Sequence, residues 1–575
     1  MRILISLLFL ATVASAQLRH QGRPYQIKGV GGDAQWELLA KLGGNSVRTW
    51  GHEKLGEQLE LAQKLGLTIT AGIWLGQVRQ GFDWSDAASL IKQREIVRAA
   101  VLKHKDHPAL LMWALGNEME DAAGKNGAVW SEINNLARMV KQLDPAHPTM
   151  TVIAEIGGEK VRHFHALCPD VDILGINSYA GAGSLGDRYV KAGGTKPYVL
   201  TEFGPPGIWE IKKDENGAFR ELTSTEKAAW YRTAYQHNVI NHAPLCVGSY
   251  AFLWGQKQEV TATWFSLLHN GARLGAVDTL SELWTGKSPA NRCPEIVSLT
   301  ASQSLVKPGA VIQLALKSRD AESETLKASW ALFADEEQYG AGGDAEAAAA
   351  RKAQAILQSS LAGAEVKMPD EGGLYRVFVS VTDGHGGAAV ANVPVRVDAP
   401  VKIAKGGATK LPLIVYAEAG DTPDYIPSGW MGDTKSMQLD PACATRPKSG
   451  KTCLRCDFTA SSGWGGVMWQ HPAQDWGDQR GGFDLTGAKR LVFDARGETG
   501  GEEVTFGFGG IGPEKRYHDT AKRSREKTRL TTEWQTFEIK LDGLPDLTRI
   551  KTGFLWSAAS SGKPFRFYLD NIRWE

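Results

Sequence analysis

From Tyr25 to about Gly286, short apolar runs alternate with amphipathic stretches. The runs are YQIKGVGG (25–32), NSVRTWG (45–51), LTITAGIWLG (67–76), ALLMWALGNE (109–118), PTMTVIAE (148–155), VDILGINSY (171–179), PYVLTEFG (197–204) and CVGSYAFLWG (246–255). Between them lie helical patterns such as EKLGEQLELAQKLG (53–66) and AVWSEINNLARMVKQLD (128–144), and AVDTLSELWTG (276–286) closes the series. Strand–helix alternation implies a parallel sheet. Eight such units over about 260 residues match the size of a (β/α)8 TIM barrel. An open doubly wound sheet fits less well, because the first run lacks a glycine-rich dinucleotide fingerprint before its helix.

Near Pro289 the pattern changes. AVIQLALKS (310–318), GLYRVFVSVTD (373–383) and AAVANVPVRV (388–397) alternate with period two, as in a small immunoglobulin-like sandwich. The Ala-rich stretch DAEAAAARKAQAILQSSLAG (344–363) predicts a helical insert within it. APVKIAKGGATKLP (399–412) has linker composition. From Leu413 to Glu575 the strands RLVFDARG (490–497), EVTFGFGGI (503–511), WQTFEIKL (534–541) and FRFYLDNIRW (565–574) suggest a jelly roll. The expected organisation is α/β followed by two all-β domains: a leader over 1–16, a barrel over 17–289, a sandwich over 290–400, a linker over 401–412 and a second sandwich over 413–575.

A net charge of +1 in 575 residues gives no reason to expect nucleic acid or a charged membrane surface as partner. MRILISLLFLATVASAQ has the basic start, the apolar stretch and the small-residue cleavage site of a secretory signal peptide. Its apolar run is too short to span a bilayer. The expected location is secreted or periplasmic. The six cysteines, three at 168, 246 and 293 and three at 443, 453 and 456, show no zinc spacing and read as structural. The 19 tryptophans carry more information, since a flat apolar indole suits the face of a sugar ring.

In a (β/α)8 barrel the active site lies at the C-terminal ends of the strands. The residues there include Arg48 and Trp50, Asn117 and Glu118, Asn177 and Tyr179, Glu202 and Trp254. The motifs NSVRTW, WALGNE, NSY and TEFG occur in that order on the second, fourth, sixth and seventh strands. This set resembles the clan A glycoside hydrolases, specifically the barrels of families 2 and 5 and related β-glucanases. The resemblance covers the whole barrel. It implies that Glu118 is the general acid/base and Glu202 the nucleophile of a retaining reaction, with carboxyls about 5–5.5 Å apart. It further implies that Arg48 and Tyr179 hold Glu202, that Asn117 bonds the sugar 2-hydroxyl and that Trp254 floors the bound ring. No cofactor is implied for catalysis. Glu155, His52 and Glu259 read as ordinary rim residues.

The segment SSGWGGVMWQHPAQDWGD (461–478), with Trp464, Trp469 and Trp476, and the last strand FYLDNIRW are similar to carbohydrate-binding β-sandwiches of the galactose-binding-like fold. That resemblance implies a structural calcium at Glu418 and Asp570. The expected function is a secreted retaining β-glycosidase on a β-glucan, with β-1,3-glucan favoured. The alternatives are a transglycosylase using the same two carboxylates and a non-catalytic carbohydrate-binding protein. A carbohydrate is the expected partner throughout.

Overall fold

The computed structural model describes residues 18–77, 82–119, 127–322, 325–335, 349, 351–399, 409–419, 424–479, 481–515, 517–544 and 546–575. The signal peptide and most of the linker expected from the sequence lie outside these residues. The chain divides near residue 400 into two compact units.

The first unit opens with a closed barrel of eight parallel strands: β1 (Ile27–Gly31), β2 (Ser46–Arg48), β3 (Thr68–Ile73), β4 (Leu110–Leu115), β5 (Thr149–Ala154), β6 (Ile173–Asn177), β7 (Tyr198–Phe203) and β8 (Cys246–Ala251). Each strand pairs with the next, and β8 closes on β1 with Ser249 opposite Lys28. The helices α1 (Trp36–Lys41), α2 (Leu55–Leu65), α3 (Ala87–His104), α4 (Ala128–Leu143), α5 (Lys160–Leu167), α6 (Leu185–Lys191), α7 (Ser224–Tyr235) and α8 (Gly275–Thr285) alternate with them.

The two faces of each strand explain this arrangement. Along β3, Ile69, Ala71 and Ile73 join the layer that packs against Leu55, Leu59 and Val97 of the helices. Across the barrel, Met112, Ala114, Met150, Val152 and Val199 form a separate interior cluster with Tyr250. The Tyr250 hydroxyl is held there by Ser46 Oγ at 2.8 Å and Thr70 Oγ1 at 2.5 Å. Two of the eight helix starts carry side-chain caps: Asp86 accepts from the backbone N–H of Ala88 and Ser89 at α3, and Thr223 and Glu226 form a reciprocal capping box at α7.

The rest of the first unit is a β-sandwich. One sheet runs β9 (Glu295–Ala301), β10 (Val311–Arg319), β13 (Gly363–Lys367) and β12 (Ile356–Ser359) in spatial order. The other contains β15 (Gly387–Val397), β14 (Gly373–Thr382) and β11 (Lys327–Ala334). The sequence places residues 344–363 in a helix. In the described part of that stretch, Ile356–Ser359 is instead an edge strand paired antiparallel with β13. Pairing of Ile356 with Val366 outweighs local helix propensity. The Ala-rich part between 344 and 350 lies outside the described residues except at 349.

Barrel and sandwich share structure. Ala272–Leu274, just before α8, pairs in parallel with β15, Arg273 opposite Gly387. A polar cluster closes the same junction. Buried Glu221 accepts from Lys227 Nζ at 2.5 Å, Thr261 Oγ1 at 2.7 Å, Thr263 Oγ1 at 2.8 Å and, from the sandwich, Asn392 Nδ2 at 2.5 Å. Burial pushes the Glu221 pKa up, but the Lys227 charge and these donors hold it below the usual carboxylate range.

The second unit is a jelly roll of two antiparallel sheets, each with six strands, around one core that includes Trp469, Phe493, Phe506, Phe554 and Trp574. Trp469 is thus a core residue, whereas Trp464 and Trp476 are exposed. All six cysteines are free thiols and buried.

The Glu221 network generates a stability prediction. Glu221→Gln leaves the Lys227 ammonium buried without its counter-charge, and truncating one partner of a buried pair costs about 3–5 kcal/mol. The denaturant midpoint of the barrel-and-sandwich transition should fall accordingly. A loss below about 1 kcal/mol would mean that the network does not hold the junction.

Candidate active site

Five strand ends converge on one mouth of the barrel. At the end of β2, Arg48 is 1% exposed. Its Nη1 donates to Glu202 Oε1 at 2.8 Å and to the Thr201 carbonyl at 3.1 Å, and its Nη2 donates to Asn117 Oδ1 at 2.6 Å. Two residues on, Trp50 Nε1 donates to the same Glu202 oxygen at 2.9 Å, with the guanidinium carbon 5.1 Å from the indole centroid. The neighbouring strand must yield space for this. A Cβ on Gly72 of β3 would lie 2.1 Å from the Thr49 carbonyl oxygen, so glycine lets the end of β2 lie against β3.

From β6, the Tyr179 hydroxyl donates to Glu202 Oε2 at 2.9 Å. Burial, followed by the charges of Glu202, Glu118 and Glu259, pushes the Tyr179 pKa well above that of an ordinary phenol. Tyr179 therefore stays a proton donor to the carboxylate. Glu202, buried at the end of β7, receives three donors on two oxygens, a set that matches the acceptor-only ionised carboxylate.

Glu118 is half-buried and follows β4 with φ 53°, a left-handed conformation fixed by its N–H donating to the Val152 carbonyl at 2.9 Å. Asn177 joins it to the rest of the site. Asn177 Nδ2 donates to Glu118 Oε1 at 2.7 Å and to Asn117 Oδ1 at 3.3 Å, while its Oδ1 accepts from Thr201 Oγ1 at 2.8 Å. Since Asn117 Oδ1 faces Arg48 and Asn177, its Nδ2 is turned away from them as a donor.

Arg48, Asn117, Glu118, Tyr179 and Glu202 thus belong to one hydrogen-bonded network. Trp254 does not. It is 1% exposed and packs in the layer between barrel and helices, with its N–H bonded to the Gly31 carbonyl. The aromatic at the end of β8 that reaches the site is Phe252. Its ring lies edge-on to Trp50 at 5.9 Å and to Tyr179 at 6.1 Å. The chain leaves strand geometry after Ala251, so counting along the run pointed to the wrong ring. Trp50, Asn177 and Thr201 join the site without an assigned role from sequence. Trp50 and Asn177 were legible as strand ends, but their hydrogen bonds depend on side-chain direction.

Glu155, at the end of β5, has a structural partner set. It accepts from Arg188 Nη1 at 2.7 Å, Ser178 Oγ at 2.5 Å and the Ile156 N–H at 2.9 Å. Glu418 and Asp570 in the second unit are bound to one loop. Glu418 accepts from the N–H groups of Lys451 and Thr452 and the Thr452 hydroxyl, and Asp570 from the N–H groups of Lys448, Ser449 and Asn571. Donor hydrogens aimed at both carboxylates do not fit a cation between them. Among the described residues no group of three or more His, Cys, Asp or Glu side chains is placed to hold a metal. The calcium expected at this pair is therefore replaced by a turn clamped through its backbone.

Residues 17–242 match the family "Glycosyl hydrolases family 2, TIM barrel domain", and residues 423–575 match "Carbohydrate binding domain 30". The first match spans β1 to β7 of the barrel, and the second spans most of the second unit. Curated relatives include a beta-glucuronidase of Paenibacillus borealis, 25% identical over 39% of this chain and 40% of its own length. Another, from Sus scrofa, is 28% identical over 29% of this chain and 27% of its own length. The chain thus spans less than half the length of either relative. A solved Bacteroides uniformis beta-glucuronidase 2, bound to cyclophellitol-6-carboxylate aziridine, aligns over 96% of this chain and 66% of its own, at 12% identity and a TM-score of 0.38.

The partners of Glu155 generate a pH prediction. Burial raises its pKa, but Arg188, Ser178 and the Ile156 N–H bring it below the ordinary value of 4.5. A depressed carboxylate adds stability above its unfolded pKa and loses it as pH falls through the folded one. Glu155→Gln should therefore lower the thermal midpoint at pH 7. The gap from the parent protein should begin to close below about pH 4.5 and vanish in stronger acid. A gap that stays constant across this range would show that the Glu155 charge contributes nothing.

Proposed function

We propose that this protein is an exported retaining β-glycoside hydrolase in which Glu202 is the nucleophile and Glu118 the general acid/base. The observation that carries the reading is the unequal treatment of two linked carboxylates. Glu202 is held by a guanidinium, an indole N–H and a phenol, whereas Glu118 stands half-buried at the mouth on an asparagine.

In the first step Glu202 Oε attacks the anomeric carbon while Glu118 gives its proton to the departing glycosidic oxygen. The C–O bond to the leaving group breaks as the glycosyl ester forms. In the second step the ionised Glu118 takes a proton from water, whose oxygen attacks the same carbon and releases Glu202. Two inversions give retention. Protons and electron pairs balance between the carboxylates, sugar and water, so the chemistry needs no cofactor. Asn117 Nδ2 donates to the sugar 2-hydroxyl, a contact that tightens as positive charge develops on the ring. Phe252 takes the place by the ring that the sequence suggested for Trp254. A sugar hydroxyl in place of water would make the same intermediate serve transglycosylation.

The substrate proposed is a β-glucan, with β-1,3-glucan favoured. Among the described residues, three cations near the mouth are engaged with carboxylates: Arg48 with Glu202, Arg188 with Glu155 and Lys257 with Glu259. That arrangement suits a neutral sugar. A β-glucuronide is the second reading, supported by the names of the relatives, and it requires a cation for the uronic carboxylate. The second unit would bind glycan through exposed Trp464 and Trp476 and raise the local concentration of a long substrate.

Two variants test the chemistry. Glu202→Gln should lose about 10^4-fold or more in kcat, since an amide forms no glycosyl ester. Glu118→Ala should lose about 10^2–10^4-fold on natural glycosides. It should lose much less on aryl glycosides with good leaving groups, with azide restoring part of the rate. Activity of Glu202→Gln within a few-fold of the parent sinks the assignment. A second measurement compares kcat/KM for aryl β-glucoside, aryl β-glucuronide and β-1,3-gluco-oligosaccharides. Preference for the glucuronide by about 100-fold would replace the β-glucan reading.

A further inference from the structure

Trp209 lies in the segment between β7 and α7, a few residues after Glu202, and at 56% it is the most exposed indole of the chain. It is nevertheless held in place. Its ring stands edge-on to Tyr179 at 5.6 Å with an interplanar angle of 83° and stacks on Phe265 at 6.2 Å and 28°. Gly207 allows the ring to lie on the backbone, since a Cβ there would come within 2.3 Å of Trp209 Cζ2.

The segment around it is pinned at several points. Glu210 accepts from the Gly207 N–H at 2.9 Å and from the Ala180 N–H at 3.1 Å, and Trp264 Nε1 donates to the Pro206 carbonyl at 3.0 Å. Farther along, the sandwich grips the same segment. Arg376, buried and paired with Asp335, donates to the Phe219 carbonyl at 2.8 Å, and Arg396 Nε donates to the Asn216 carbonyl at 2.5 Å. An indole that served only to fill space would be turned inward, where burying its face is favourable. This one is fixed with a face left open, one aromatic ring away from the carboxylate that Tyr179 bonds.

We propose that Trp209 is a stacking platform for the pyranose unit next to the one that is cleaved. This rests on the glycosidase reading above and adds a second ring to the substrate. A β-gluco-configured pyranose carries its hydroxyls equatorially, so both ring faces present C–H groups that match the π-face of an indole. The ligand class is accordingly a β-linked oligosaccharide or polysaccharide.

The test uses the full chain with Trp209→Ala and Trp209→Phe, assayed on laminaritriose and on methyl β-D-glucopyranoside. Trp209→Ala should lose about 10-fold in kcat/KM on the trisaccharide, mostly through KM, and at least about 3-fold more than on the methyl glycoside. Trp209→Phe should recover most of that loss. Equal losses on both substrates, a loss confined to kcat, or a phenylalanine variant no better than alanine would overturn the platform and leave Trp209 as a prop for Tyr179. Those outcomes leave the hydrolase reading intact because the parent protein is active in each. A parent protein inert on both substrates overturns the β-glucan reading and the platform together.

Discussion

The Arg48 guanidinium is the point on which the mouth of the barrel depends. It is almost fully buried, and although its Nε lacks a hydrogen-bond partner, both Nη groups are answered. Here the answers come from different strands: the Glu202 carboxylate and Thr201 carbonyl from β7, the Asn117 amide from β4 and the Trp50 ring from its own strand. One planar ion therefore sets the spacing of strand ends that share no backbone hydrogen bonds. A lysine, with one point charge and no fork, could not hold both directions at once.

From that point order passes outward in layers. Asn117 and Asn177 relay it to Glu118, and Tyr179 relays it through its ring to Phe265 and Trp209. The sandwich supplies the outermost layer. It reaches the segment after β7 through the Arg376 and Arg396 side chains and through Asn392 on Glu221. Rim loops of a barrel are usually its softest parts. This one is tied to a second domain over much of its length.

The barrel was legible because its strands are apolar on both faces and its helices on one, so the two periods separate cleanly along the chain. The run ALLMWALGNE contains β4 and ends on the half-buried Glu118, as a strand entering an active rim should. Side-chain direction past a strand end was not legible. Trp254 and Phe252 are two residues apart, yet one packs under the helices and the other faces Tyr179, a choice made by the backbone after Ala251. Likewise AILQSS has the composition of a helix end, but β13 offers an unpaired edge and the strand wins. The carboxylates Glu418 and Asp570 were chosen by position along the chain, and position could not show that backbone N–H groups would occupy them.

The short pairing of Arg273 with Gly387 has a consequence for how the chain is made. During synthesis the barrel strands leave the ribosome in order and can pair with their neighbours as they appear. The segment 272–274 finds one partner at once in the adjacent 268–269, but its other partner, β15, is translated only after nearly all of the sandwich has emerged. Until then the short hairpin before α8, outside the closed barrel, has an open edge, the kind of edge on which nascent chains adhere to one another. Cover for that edge is thus deferred to the birth of the next domain, and a ribosome stalled between them would release a closed barrel with one hairpin edge unprotected.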